Sequence, residues 1–175
     1  MKQNFINNRM AGAERPATVR PDAEPMLNVA LVYADGPTRE RAEQVLDQIA
    51  DGSADRGIHR TDCTIGNLRE MKVFSQSVAD LARADVIVVS LHEVDRLPAA
   101  FYLWVNLWLQ VRAGRPGTLL ALLAPSQEPT LGTQETRRYL YAAARQGGLD
   151  LVECGEPGQP IRGLRDTGAQ WAKAA

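Results

Sequence analysis

The residues of this chain best placed to do chemistry are His92, Glu93 and Asp95, which interrupt the apolar stretch VVSLHEVDRLPAAFYLWVNLW. An imidazole beside two carboxylates can hold a hard divalent ion through oxygen donors, or move a proton as an acid–base group. Asp35, which ends an earlier apolar run in the same way, is a candidate fourth member of the cluster. The ligand count speaks against a metal, since no second His lies nearby and no Cys pair has zinc spacing. A solvated loop made of the same residues is the plain alternative.

Two further loops carry suitable groups. Ser126, Thr130, Gly132 and Thr133 in APSQEPTLGTQ have the hydroxyls and backbone amides to cradle a phosphate or a ring, as many ordinary loops do. Gly36 and Thr38, just after Asp35, offer an amide and a hydroxyl where a helix begins. Cys63, with only His59 and Arg60 nearby as basic neighbours, reads as a structural thiol.

The elements that must position these loops are legible from hydrophobic periodicity. LNVALVYA, DVIVVSL and TLLALLAP are continuous apolar runs of strand length, which suit strands buried on both faces. HRTDCTIG and LDLVECG are weaker and more polar, as edge strands are. Between them run four helical patterns. RERAEQVLDQIA turns Ala42, Val45, Leu46, Ile49 and Ala50 inward, with Gly36 or Thr38 as its cap. NLREMKVFSQSVADLARA does the same with Met71, Phe74, Val78, Leu81 and Ala82. The third helix spans Pro98 to Arg112, and QETRRYLYAAARQG is the fourth, closed by a glycine.

Alternating strands and helices predict a three-layer α/β fold with a five-stranded parallel sheet in the order 2-1-3-4-5 and helices on both faces. That is the flavodoxin-like arrangement. Its ligands enter beyond the carboxyl ends of the strands, where the order switches between strands one and three. Asp35 to Thr38, His92 to Asp95 and Ser126 to Gly132 all fall there.

Composition sets the outer limits. The chain has 175 residues and a formal net charge of -1, with 45% hydrophobic and 23% charged residues. That suits one domain with a full core, and gives no footprint for nucleic acid or an anionic membrane. No apolar run reaches the roughly 18 residues of a membrane span. The two cysteines are expected to be reduced thiols in a cytoplasmic protein. Residues 1–26 read as a disordered leader, 27–155 as the folded domain and 156–175 as a surface tail.

The segment ADVIVVSLHEVDRLPAAFYLWVNLWL resembles the NAD(P)H-dependent FMN reductases and related flavodoxin-like quinone reductases. The matches are Ala84, Asp85, Ile87, Val88, Pro98 and Ala99, with Phe101 in place of a usual Leu. The segment after it, LALLAPSQEPTLGTQETRRYLYAAARQGGLDLV, resembles the family's fourth strand, glycine-bearing loop and helix. The resemblance spans Leu27 to Gly155. It implies FMN as cofactor, with its phosphate in a first loop rich in Ser, Thr and Gly and its ring against a Pro-x-Tyr-Asn loop.

This chain departs from the family at both places. Its first loop is Ala34-Asp35-Gly36-Pro37-Thr38, where a carboxylate repels phosphate and Pro37 has no N–H to donate. The ring loop is replaced by His92-Glu93-Val94-Asp95, and the Lys and Asp after Pro-Ala appear as Tyr102 and Asn106. A phospho-receiver of the same strand order would need an Asp ending strand three and a Lys ending strand five, and neither is present. Two readings follow. In one, the cofactor loops have degenerated, no cofactor is held, and the chain is an oligomeric binding or scaffold module. In the other, FMN is retained through unusual contacts and the chain is a flavin-dependent NAD(P)H oxidoreductase acting on flavin or a quinone.

The third helix, FYLWVNLWLQV, is apolar nearly all the way round, more than one sheet face requires. Either the leader or the tail covers its outer side, or Phe101, Trp104 and Trp108 anchor a homodimer, as the resemblance also implies.

Overall fold

The computed structural model describes residues 26–52, 57–92, 97–123 and 131–154. The expected leader, apart from Met26, and the expected tail lie outside the described residues. Strands β1 (Leu27–Tyr33), β2 (Ile58–Thr64), β3 (Val86–Leu91), β4 (Gly117–Leu123) and β5 (Leu149–Cys154) alternate with helices α1 (Gly36–Gly52), α2 (Met71–Arg83), α3 (Ala99–Arg112) and α4 (Leu131–Gly147). All pairings are parallel, in the order β2-β1-β3-β4-β5. The strand β3, apolar except for Ser90, is buried at every position, whereas β2 and β5, at the edges, keep exposed positions. This is the flavodoxin-like sheet that the run of strong and weak strands predicts.

Side chains that alternate along the strands divide the core in two. Leu27, Val29 and Leu31 of β1, with Val86, Val88, Leu120 and Leu122, pack on Ala42, Val45 and Ile49 of α1. The opposite side chains, among them Ala30, Val32, Ile87, Val89 and Leu119, face α2, α3 and α4.

Element ends differ from the periodic pattern where a local contact overrides it. Residues Ile65–Arg69 form a 3-10 turn, so α2 begins at Met71 and not at Asn67. Met71, expected to point inward, occupies the first position of the helix and is 78% exposed. Ser77 takes an inward position instead, because its hydroxyl is satisfied by the carbonyl of Val73 at 2.7 Å.

The aromatic helix requires a correction. Phe101, Trp104 and Trp108, expected at an oligomer interface, are buried within the single chain, at 1%, 1% and 2% exposure. The reason is position: α3 touches both α2 and α4, so more than one stripe of it is enclosed. Trp104 donates its Nε1–H to Ser77 Oγ at 2.9 Å, and Phe101 packs 5.7 Å from Trp104 and 6.3 Å from Tyr139, between ring centroids. The large apolar side chains that α3 leaves exposed are Leu103 and Val111.

At the amino end of the sheet two charged residues hold the strands together. The Asp85 carboxylate accepts from the backbone N–H and side-chain amide of Asn28, at 3.0 and 3.1 Å, and from Arg115 at 2.7 Å. The acid of the Ala84–Asp85 pair thus ties β1 to the start of β3. Arg112, 3% exposed, donates to four carbonyls: Ala84 and Pro116 at 2.7 and 2.8 Å, Arg115 at 2.8 Å and Leu81 at 3.3 Å. Burial, aided by Arg115 and opposed by Asp85, brings its guanidinium down to about 10, still a cation at neutral pH. Gly117 has to be glycine here. A Cβ would lie 2.6 Å from the Asp85 carbonyl oxygen and press on the Arg112 guanidinium.

Candidate functional site

The switch in strand order lies between β1 and β3, whose last paired residues are Tyr33 and Ser90. Ala34 and Asp35 carry the chain from Tyr33 into α1, and the geometry there is set by a capping exchange. Asp35, and neither Gly36 nor Thr38, is the capping residue: its Oδ1 accepts the N–H of Thr38 at 3.1 Å. In return Thr38 Oγ1 accepts the N–H groups of Ala34 and Asp35, at 3.0 and 2.9 Å. The Thr38 hydroxyl proton has Asp35 Oδ1 and the Asp35 carbonyl within reach, at 2.8 and 3.0 Å. Thr38 is fully buried under this arrangement. Pro37 sits in the first turn, where its missing N–H costs nothing.

His92 closes the other side. Its Nε2 lies 2.9 and 2.7 Å from the two oxygens of Asp35, so the imidazole straddles the carboxylate from the carboxyl end of β3. Burial pushes the Asp35 carboxyl up, but the hydrogen bonds from Thr38 and His92 outweigh it and hold the group below its ordinary value. A carboxyl depressed in the folded state stabilises the fold fully above its unfolded value, about 3.9. That contribution is lost as pH falls through the folded value. Asp35→Asn, an equally good cap, is therefore expected to cost under about 1 kcal/mol at pH 7 and to flatten the acid side of the urea-midpoint profile. An acid limb identical to the parent's would show that the Asp35 charge plays no part.

Asp35, Thr38 and His92 are thus brought together, and Gly36 opens the helix beside them with open space around its Cα. Glu93, Asp95, Ser126 and Thr130 lie outside the described residues. Gly132 and Thr133 are buried in the first turn of α4. Among the described residues no group of three His, Cys, Asp or Glu side chains could hold a metal ion. Cys63 and Cys154 are both free thiols, and burial raises Cys63 to about 11, which leaves it protonated and inert at neutral pH.

Two residues at this end escape a reading of the sequence. Arg41, on α1, extends its Nη1 to 3.4 Å from the Leu91 carbonyl and so brings a cation to the end of β3. Ser90 is fully buried with its hydroxyl unpaired, in register with Tyr33 and Leu122. A lone Ser near the end of an apolar strand was its only signal.

The fit to FMN can be tested on the phosphate site. A phosphate in this fold draws on the N–H groups and hydroxyls at the start of α1. Here the Thr38 N–H and hydroxyl are spent on Asp35, whose carboxylate is itself the anion at that helix terminus. The described residues of the first loop do not fit a second anion in this conformation.

Comparison with known proteins supports the fold alone. No family model and no curated protein matches the chain. Solved structures do. An oxidoreductase from Corynebacterium diphtheriae aligns with a TM-score of 0.57 at 12% identity, over 84% of this chain and 96% of its own. The flavodoxin of Streptococcus pneumoniae TIGR4 gives 0.52 at 15% identity, over 86% of this chain and all of its own. The NAD(P)H:quinone oxidoreductase from Methanothermobacter marburgensis gives 0.50 at 14% identity, over 86% and 98%. The chain has a flavodoxin-like fold, similar to those of a flavodoxin and of two oxidoreductases.

Proposed function

We propose that this chain is a flavodoxin-fold protein that no longer takes FMN in the family's usual manner, and that it works as a binding or scaffold module. One observation carries this reading: the Asp35 carboxylate caps α1 with the donors that a phosphate would need. Held on its other side by His92, it turns an anion-binding helix terminus into a self-satisfied one. Coulomb repulsion and the loss of donors then act together against a phosphate.

A second reading stands on the exposure of the same pair. The side chains of His92 and Asp35 are 40% and 48% exposed, and a polar pair in that setting is worth no more than about 1 kcal/mol. A ligand that displaced Asp35 would face a small penalty, and FMN could then supply hydride chemistry toward a flavin or quinone. In that case Arg41, Thr38 and His92 would do the holding.

Asp35→Ser separates the readings. Serine caps as well as aspartate but carries no charge. On the first reading the substitution raises FMN affinity by about tenfold or more, measured by quenching of flavin fluorescence. An FMN affinity that is measurable and unchanged by the substitution would show that Asp35 is no obstacle.

A further inference from the structure

A groove of about 610 Å³ opens at the end of the sheet opposite the switch point, between β2 and α2. It exists because α2 covers only part of the edge strand. Cys63, in the carboxyl half of β2, is buried, whereas His59 in the amino half is exposed and lines the groove with Thr61. The volume lies within the range of small-molecule sites, roughly 300–1,000 Å³.

Two cations stand over it, Arg83 at the end of α2 and Arg115 from the turn before β4. Each has a carboxylate partner, Arg83 with Asp80 at 3.1 Å and Arg115 with Asp85 at 2.7 Å. Each pair uses one N–H of a guanidinium that has five. Both arginines are well exposed, at 68% and 45%, so the pairs hold them weakly and leave the remaining donors to a ligand. Of the two acids only Asp80 lines the groove, while Asp85 is reached through Arg115 and Asn28 of the lining. Asp80 accepts from Gln76 and Arg83, and Thr61 of β2 lines the same groove, so an acceptor and a hydroxyl are both available to a ligand hydroxyl. Met26 and Ala84 are the apolar residues of the lining.

We propose that this groove binds a small hydroxylated oxyanion, its phosphate or carboxylate held by Arg83 and Arg115 and its hydroxyls by Asp80 and Thr61. The site is independent of the reading of the switch point, since it shares no residue with it.

The test is a titration of the full chain with glycerol 3-phosphate and, separately, with malate, followed by amide chemical shifts. At least one of the two is expected to give saturable shifts at Thr61, Gln76 and Ala84. Binding by one alone identifies phosphate or carboxylate as the recognised group. Arg83→Gln, a change at an exposed position, should weaken binding by about tenfold or more. Arg138→Gln, exposed on α4, should leave it unchanged. The proposal is overturned by no saturable shift with either compound up to about 10 mM, a free energy of binding below which nothing specific is being read. It is equally overturned by shifts gathered at Thr38, or by an Arg83→Gln protein that binds as the parent does.

Discussion

Arg112→Leu is expected to remove about 3–5 kcal/mol of stability, the largest loss from any single charge in the described structure. The side chain is 3% exposed and joins the end of α2 to the turn before β4 through four carbonyl acceptors. Leucine fills part of the volume but leaves those carbonyls without their donor in a site shielded from water. A domain of this size is stable by only about 5–15 kcal/mol, so the urea midpoint should fall by a large fraction. Arg112→Lys should lie between the two, because an ammonium keeps the charge but cannot reach the same fork of acceptors. An Arg112→Leu midpoint within about 1 kcal/mol of the parent would mean that the cluster contributes little.

Trp104→Ala is expected to cost a similar amount, about 3–5 kcal/mol, for a different reason. It empties the space between Phe101, Trp108 and α2, and it takes the indole donor away from the buried Ser77 hydroxyl. The comparison variant is Leu103→Glu, one position earlier on the outward face of the same helix. That change should leave stability within about 0.5 kcal/mol. If the chain self-associates through α3, light scattering would show it shift to monomer. A Trp104→Ala protein of parental stability would contradict the burial of this residue within the single chain.

These two residues also show where a sequence is readable. Strands β3 and β4 announce themselves, because strands buried on both faces are nearly continuous apolar runs, here broken only by Ser90 and Thr118. The weak edge strands follow from the same logic, and the strand order from both. The apolar girth of α3 was equally visible, but it has two causes, flanking helices or a second chain, and periodicity does not separate them. Only the tertiary placement of α2 and α4 beside it decides that Trp104 and Trp108 face inward. Arg112 gave no signal, since an arginine in the last turn of a helix normally reaches solvent or the helix dipole.

At the switch point the residue types were legible and their roles were not. Asp35 reads as a repulsive charge in a phosphate loop, and that much follows from the sequence. Its service as the cap depends on a spacing of three to Thr38 and on the start of α1 falling at Gly36, three residues before the periodic pattern begins. The pairing with His92 joins residues 57 apart in sequence, through the parallel pairing of β1 with β3.

The central claim, that the Asp35 carboxylate takes the place of a ligand anion at the start of α1, is tested most directly by absorbance. Purified chain would be incubated with excess FMN, desalted and scanned. The parent protein is expected to show no flavin band, and Asp35→Ser treated identically to show one at about 450 nm. A flavin band retained by the parent protein would contradict the claim.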